Sequence, residues 1–557
     1  MQNRADERYL GMYVLISSVA VCLLVAPFNS LDPVNLPKLC LLVVLSFIGA
    51  GFAFSKVNFF KAKKNRLVLI VIGFFIALLF LVLLADSRDF SSKFYGTTGR
   101  NTGFVAYLSL SFLLIASVVS ASKILLKRYV IALVGSGTVL ALYGLAQYRG
   151  LDFYEFDLGI GTKVFGSFGN SNFQSAFMGI TAASALTLVV FSRIRIHFKF
   201  GLLVLTAVAI YNISLSSQQG YLNFAAGITA AAILYFFQSR KSVLAWVTVA
   251  GASIFALLIG LGILNIGPLA EIIYKSSLQA RGFYWRAALN MMIQHPFFGV
   301  GMDSYGEWYM RSRPSNYFSS NFLSVSDTAH SIPLDIGSNG GLPLFFAYLS
   351  IVILVVLSII RVMKRASGFD VVFTTIVAAW VAYQAQSFIS INQIGLGVWG
   401  WSLSGLIIGY ELNTRNEDLV GENRSGRLAK NPTQKISSLA VVLTFLTTSA
   451  GIAIALPPYL AANKFYKALQ SGDANVIQPA AYLKPYDRAR FTFVSQILQE
   501  NKLEDRAIAV LRDASKIYPD SYEIWNRWAG IASASPNDVA RAKAEMKRLD
   551  PFNPDLK

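Results

Sequence analysis

Charge is scarce in this chain. Of its 557 residues only 14% are Asp, Glu, Lys or Arg, whereas 54% are hydrophobic. A soluble protein of this size would carry roughly a quarter charged residues. Cysteine is scarcer still. Cys22 and Cys40 both fall inside apolar runs, which excludes a disulfide framework or a cysteine metal site. There are three histidines, His197, His295 and His330. P-loop, G-x-S-x-G and H-E-x-x-H patterns are all missing, which removes the common phosphoryl-transfer, serine-hydrolase and zinc-peptidase chemistries. Acidic residues are outnumbered 30 to 49, for a net charge of +19. That balance would suit nucleic acid, but the basic residues sit in short links between apolar stretches. Membrane topology and anionic lipid headgroups account for them, and no nucleic-acid partner is expected.

What the chain has in abundance is apolar runs of membrane-spanning length, about 20 residues each. They cover roughly 9–27, 36–55, 67–85, 102–121, 130–148, 172–191, 200–216, 220–237, 243–266, 341–360, 371–390, 396–412 and 437–457. The expected fold is therefore all-α, a polytopic membrane bundle of about 12–13 transmembrane helices. The first run lacks a cleavage site of the signal-peptide kind and reads as a retained helix. Every second link is basic: Lys56 to Arg66, Lys123 to Arg128, Arg193 to Lys199, Arg240 and Lys241, Arg361 to Arg365, and 413–436. By the positive-inside rule those links and the N-terminus are cytoplasmic. The opposite side then receives 86–101, 149–171, 268–340 and the tail from 458 onward. The expected division is N-terminal membrane helices over 1–267, a long extracytoplasmic loop over 268–340, C-terminal membrane helices over 341–457 and a polar helical domain over 458–557. In that tail Phe491, Val494, Leu498, Ala507, Leu511, Ala514 and Pro519 take the anchor spacing of a tetratricopeptide-type repeat, and a weaker unit follows from Tyr522. Such a unit suits partner docking.

Long loops of this kind are more often functional than decorative. Within it, Arg281 and Arg286 oppose the positive-inside bias. On a helix, five residues turn the chain by about 140°, so these two arginines cannot face one ligand, and Arg281 shares its face with Trp285 and Leu289. Guanidinium groups can bind a diphosphate bidentately or anchor lipid headgroups. Arg100, in Gly96-Thr-Thr-Gly-Arg-Asn101, and Lys38 at the start of the second span are candidates of the same sort. His330 lies in Asp327-Thr-Ala-His-Ser-Ile-Pro-Leu-Asp335, just ahead of a membrane helix, where a neutral imidazole could take a proton from a hydroxyl. Polar residues in apolar surroundings mark two cavity candidates, Asn170 with Asn172, and Gln218 with Gln219. The carboxylates Asp303, Glu307, Asp327 and Asp335 match no standard metal loop, so no metal and no cofactor are expected.

Arg281-x3-Trp285-x3-Leu289, Pro296-Phe-Phe-Gly-Val-Gly-Met302, Ala329-His330-Ser331 and Gly340-Gly-Leu342, in this order, resemble the core signature of the bacterial O-antigen ligase and polymerase superfamily, which also includes protein O-oligosaccharyltransferases. Gly166-Ser-Phe-Gly-Asn-Ser-Asn172 resembles a further element of it. The resemblance implies a metal-independent membrane glycosyltransferase of the bacterial cytoplasmic membrane. Such an enzyme takes a glycan from undecaprenyl diphosphate and passes it to an acceptor hydroxyl on a lipid, a saccharide or a protein. It implies His330 as the base and Arg281 as the diphosphate contact, with Arg100, Arg286 and Lys38 as further donor-binding candidates and Asp335 among the polar cavity residues. The chain departs from the family pattern at Ser331, Asp335, Asn339 and Gln218 or Gln219, which leaves the acceptor open among ligase, polymerase and protein glycosylation. A transporter of lipid-linked oligosaccharide or amphipathic anions is the reading from another class. It requires inverted repeats, and none is visible in the membrane part.

Overall fold

The computed structural model describes residues 3–26, 31–152, 164–263, 266–268, 271, 276–319, 325–415 and 437–556. The five basic residues expected in the 413–436 link fall, apart from Arg415, outside the described residues.

Among the described residues the chain is helical, with no strand. Leaving aside the shortest helical turns, the membrane part contains α1 (Asn3–Leu23), α2 (Asn35–Phe54), α3 (Arg66–Ala85), α4 (Phe104–Ser120), α5 (Lys123–Tyr148), α6 (Ser171–Phe191), α7 (Ile196–Ser216), α8 (Gln219–Gln238) and α9 (Ser242–Ile263). A region with two amphipathic helices follows, α10 (Ser276–Gln294) and α11 (Tyr305–Ser312), and then α12 (Ile332–Arg365), α13 (Val371–Ile389), α14 (Ile394–Thr414) and α15 (Ser438–Gln470). Over the described residues each of the thirteen apolar runs falls largely on a helix. Ten helices among the described residues are long and apolar enough to cross a membrane. Tyr9–Leu23 and Phe104–Ser120 are shorter apolar helices.

Burial sorts these helices into layers. In α6, 78% of the most apolar stretch is buried by protein, against 6% in α9, which must therefore meet lipid. Almost all of α14 is buried, and Trp399 packs on Phe177 of α6 and Tyr129 of α5 at the bundle centre. Glycine sets the closest approach between α15 and α2, where a Cβ at Gly51 would lie 2.4 Å from the Thr444 backbone.

The two ends of the bundle differ in chemistry. At one end the basic links converge. Arg365 and Arg415 both pair with Glu411, Asp370 N–H donates to Gln238, and Asn413 donates to the Ala121 carbonyl. At the other end the 31–36, 96–103, 166–173, 296–342 and 391–393 segments meet. There Asn35 donates to the Gly99 carbonyl, Ser167 to the Cys22 carbonyl, and Thr97 and Thr102 to Asp303.

Helix α15 runs through Pro457 and Pro458 without a break, carrying the chain out of the bundle into α16 (Ala474–Ala480). The tail then folds as two antiparallel pairs, α17 (Arg488–Glu500) with α18 (Glu504–Ile517) and α19 (Tyr522–Ala529) with α20 (Pro536–Leu549). Phe491, Val494, Leu498, Ala507, Leu511 and Ala514 form the fully buried core of the first pair, and Trp525 stacks on Trp528 in the second at 5.6 Å.

The tail docks at the second end of the bundle, on α11. Glu307 pairs with Arg488 at 3.1 Å, Arg311 with Asp520 at 3.3 Å, and Arg313 with Asp550 through both carboxylate oxygens at 2.7 Å. The last pair is almost fully buried, and the Arg313 guanidinium also lies over the Tyr317 and Phe318 rings at 4.3 Å. Removing one member strands a buried charge, which costs about 3–5 kcal/mol, whereas replacing both by apolar residues of similar volume is close to neutral. Limited proteolysis in nanodiscs should therefore find the tail protected in the wild type, cleaved in Arg313→Ala, and protected again in Arg313→Met with Asp550→Leu. A tail equally protected in Arg313→Ala would assign the docking to other contacts.

Candidate functional site

The site grows from a break in α12. The segment Ile332–Gly340 is helical but small and polar, with Asp335, Ser338 and Asn339 facing inward. The apolar run starting at 341 therefore understates the helix by its first nine residues. At Gly341 the backbone leaves helical geometry (φ 76, ψ 178). The Pro296–Met302 segment locks into that break: Val300 N–H donates to the Ser338 carbonyl, Gly301 N–H to the Asn339 carbonyl, and Leu342 N–H to the Pro296 carbonyl. Only glycine allows this approach, since a Cβ at Gly299 would sit 2.4 Å from the Asn339 backbone carbon. The Asn339 side chain then accepts from the N–H groups of Ser304 and Tyr305 and so starts α11. The glycine-rich motif and the Gly-Gly pair are thus two halves of one joint.

His330 sits immediately before α12, and its backbone is left-handed (φ 50). Neighbouring groups hold it there. Ala329 N–H donates to the Asp335 carboxylate at 2.7 Å, and the imidazole stacks on Tyr284 with centroids 5.3 Å apart and planes at 26°. Left-handed backbone costs a non-glycine residue about 1–2 kcal/mol, and such strain is retained where surrounding contacts enforce it.

Tyr284 belongs to α10, one turn beyond Arg281, so the two share a face. Arg281 is half-buried and pairs with no carboxylate among the described residues. Burial lowers its pKa and only the Tyr284 hydroxyl opposes the effect, which leaves a guanidinium whose charge an anion would complement. Arg286, on another face of α10, is exposed.

The long loop is also tied by charge to the segment that precedes α4. Arg100 grips Asp327 bidentately, Nε to Oδ2 at 2.7 Å and Nη2 to Oδ1 at 2.8 Å. Burial pushes the Asp327 carboxyl up, but Arg100 outweighs it and holds the group below its ordinary value. Burial and the charges of Arg281 and Arg100 drive His330 down to about 4, with Asp327 opposing them. The imidazole is therefore neutral at physiological pH.

The remaining candidates have other surroundings. Lys38 is fully buried and donates to the Val21 and Cys22 carbonyls at 2.9 and 2.7 Å, satisfying groups left open at the end of α1. Asn170 caps α6 by accepting from Asn172 N–H at 2.8 Å. Gln218 precedes α8, and Gln219 donates to Gln386 of α13 with Asn223 alongside. His295 stands edge-on to Trp308, and His197 is exposed beside Phe198. The four carboxylates considered for a metal have other partners: Asp303 accepts from Thr97 and Thr102, Glu307 pairs with Arg88 and Arg488, Asp327 with Arg100, and Asp335 accepts from Ala329. No group of metal-ligating residues is gathered among the described residues. Tyr284 escaped the sequence reading, although its place three residues after Arg281 was a usable signal. The pairing of Arg100 with Asp327, 227 positions apart, carried none.

Residues 164–349 match the family model for O-antigen ligase. Over this region the chain is similar to the O-antigen ligase superfamily. The match takes in the Gly166–Asn172 element, α10, the glycine joint and His330, and ends inside α12. Lys38, Arg100 and the tail lie outside it. The family supports a membrane glycosyltransferase of the O-antigen ligase or polymerase type, acting on a glycan donor and an acceptor. No curated protein matches the chain.

Proposed function

We propose that this protein transfers a glycan from undecaprenyl diphosphate to an acceptor hydroxyl at the outer face of the bacterial cytoplasmic membrane. The observation that carries the reading is Arg281, half-buried without a carboxylate partner among the described residues, one turn before Tyr284, on which a neutral His330 stacks within the field of that arginine. An anion-binding group and a proton acceptor side by side suit displacement of a diphosphate by a hydroxyl.

In this mechanism the acceptor hydroxyl gives its proton to His330 as its oxygen attacks the anomeric carbon. The bond from that carbon to the phosphate oxygen breaks, and undecaprenyl diphosphate leaves with the electron pair. Arg281 stabilises the charge that develops on the leaving oxygen. Attack opposite the leaving group inverts the anomeric centre. Diphosphate binding also offsets the field of Arg281 and restores basicity to His330 as the proton moves. Arg100, gripped by Asp327, positions the His330 segment. Gln219 and Asn223 form a polar wall deeper in the bundle. The convergence of basic links at the opposite end supports an outward-facing site, a cytoplasmic N-terminus and an extracytoplasmic tail.

We read the tail as a tetratricopeptide-like unit that serves a macromolecular acceptor or a protein partner. Reconstituted vesicles supplied with an undecaprenyl-diphosphate-linked glycan test the proposal. Offered lipid A core, a second carrier-linked unit and a serine- and threonine-containing peptide in parallel, the protein should attach glycan covalently to one of them. Uptake of the lipid-linked glycan with no covalent product would replace this reading with the transporter.

A further inference from the structure

A cavity of about 500 Å³ lies at the end of the bundle where the basic links converge, between α3, α12 and α14. Both α3 and α14 pack on α12 there. Lys64, Arg361, Lys364, Arg365 and Arg415 line the cavity, with one carboxylate among the described residues, Glu411. These cations come from three separate places in the chain: the turn before α3, the end of α12 and the residue after α14. A positive-inside bias acts on each link by itself and does not require the links to meet around one cavity.

Charge in this cavity is unbalanced. Five cations against one carboxylate leave a formal +4. The Glu411 side chain is 2% exposed, and two arginines take it up. Arg415 donates to its two oxygens at 2.8 and 2.7 Å, and Arg365 donates to Oε1 at 3.0 Å. Both guanidiniums bond through Nε and Nη2, so the Nη1 group of each stays without a bond among the described residues. Lys64, Arg361 and Lys364 pair with no carboxylate among the described residues. Arg361, Lys364 and Arg365 also lie within one helical turn, where like charges repel. Capping of helix ends explains Arg365 and Arg415 but leaves the other three cations without a role.

Away from the charges the wall turns apolar. Leu354, Ser358, Arg361 and Arg365 share one face of α12, so the lining passes from guanidinium to hydrocarbon over roughly 10 Å of helix. Leu67 and Leu412 complete the apolar part. Leu67 is half exposed, as are Ile70 and Phe74 further along α3, so the cavity borders an apolar surface that meets lipid. Free phosphate would satisfy the cations and leave the apolar part wet. A phosphodiester carried on acyl chains satisfies both.

We infer that this cavity binds the headgroup of one anionic phospholipid from the adjacent leaflet. Lys64, Arg361 and Lys364, with the Nη1 groups of Arg365 and Arg415, hold its phosphate, and its chains run along the outer face of α3. The inference is independent of the transfer reading, because the cavity lies at the end of the bundle opposite His330.

Native mass spectrometry of the full-length protein in neutral detergent reads the dissociation constant of the first bound lipid. Cardiolipin, phosphatidylglycerol and phosphatidylcholine are the probes, with inorganic phosphate as competitor. The combined variant Lys64→Gln, Arg361→Gln, Lys364→Gln removes the three unpaired cations and keeps Glu411 with its arginines, so it should melt no lower than wild type. Each basic group near a lipid phosphate is worth about fivefold, so this variant should bind either anionic lipid about a hundredfold more weakly, at the level of phosphatidylcholine. The control, Arg193→Gln with Arg195→Gln and Lys199→Gln, removes as many charges from another basic link and should stay within about twofold, because remote exposed charges are screened. An equal loss in the control would reduce the effect to the general field of the basic end and overturn the site. Phosphatidylcholine bound as tightly as phosphatidylglycerol by the wild type would do the same. Displacement of the lipid by millimolar phosphate would assign the cavity to a soluble anion instead. The link after Arg415 carries Glu417, Asp418 and Glu422. Lipid binding more than about tenfold tighter in Glu417→Gln, Asp418→Asn, Glu422→Gln would make that link the occupant and overturn the lipid, since three like charges removed are worth that much or more.

Discussion

His330→Ala should lower kcat by about 10²–10⁴-fold, the usual contribution of a positioned general base, with donor KM little changed. Among the described residues the imidazole is the ring that stacks face to face on Tyr284, the turn of α10 next to Arg281, whereas Tyr309 meets Tyr284 edge-on, so neither ring takes over the position of the other. The fold should survive, because the Ala329–Asp335 hydrogen bond still holds the turn when the stack on Tyr284 is lost. Single-turnover transfer from reconstituted donor, with melting temperature as the control, measures this. Turnover within about threefold of wild type in a correctly folded variant would remove His330 from the role of base, since the expected loss is two or more decades. The pH dependence gives a second reading. With the imidazole driven down to about 4, the protonated, inactive form is present only in acid. The kcat/KM profile of the free enzyme should therefore be level from about pH 5 through neutrality and fall as pH drops through about 4. The acid limb of kcat should lie at higher pH, because bound diphosphate neutralises the arginine field and raises the imidazole pKa. Like acid limbs in both profiles would mean that no anion binds beside His330.

Arg281→Ala should cost about 10²–10³-fold in kcat/KM, the scale of one preorganised donor to a developing oxyanion. Arg281→Lys separates charge from geometry. A guanidinium presents parallel N–H groups to a diphosphate and an ammonium does not, so lysine should recover only a part of the loss, about tenfold. Full recovery by lysine would reduce Arg281 to a point charge. Arg286→Ala is the internal control: exposed on another face of the same helix, it should leave transfer near wild type. A loss equal to that of Arg281→Ala would mean that the ligand approaches α10 from its exposed side.

Much of this architecture is legible in the sequence because a lipid environment leaves few options. An apolar run of sufficient length must be a helix there, and the thirteen runs coincide with helices. Helical periodicity likewise distinguishes a half-buried Arg281 from an exposed Arg286. The start of α12 was harder to read. Ile332–Gly340 is rich in small polar residues, and only the approach of Pro296–Met302 from the preceding segment explains why such a stretch is buried. The left-handed turn at His330, the Tyr284 stack and the Arg100–Asp327 fork share the same obscurity. Each depends on contacts between residues far apart in the chain, which no local pattern encodes. The place of Lys38 is an example in the other direction. Its position at a span boundary points to ligand binding, and the structure has it donate to two carbonyls of the preceding helix, which takes two of its three donors.

The docking of the tail on α11 has an evolutionary consequence. Glu307, Arg311 and Arg313 face Arg488, Asp520 and Asp550 across that contact, each opposite a charge of the other sign. A tail exchanged for that of a distant relative would set these three groups against an unmatched surface and strand Arg313 in a dry interface. The tail is therefore not an interchangeable module. It should be inherited together with the few residues of α11 that receive it, as one recombination block separated by almost two hundred positions of chain.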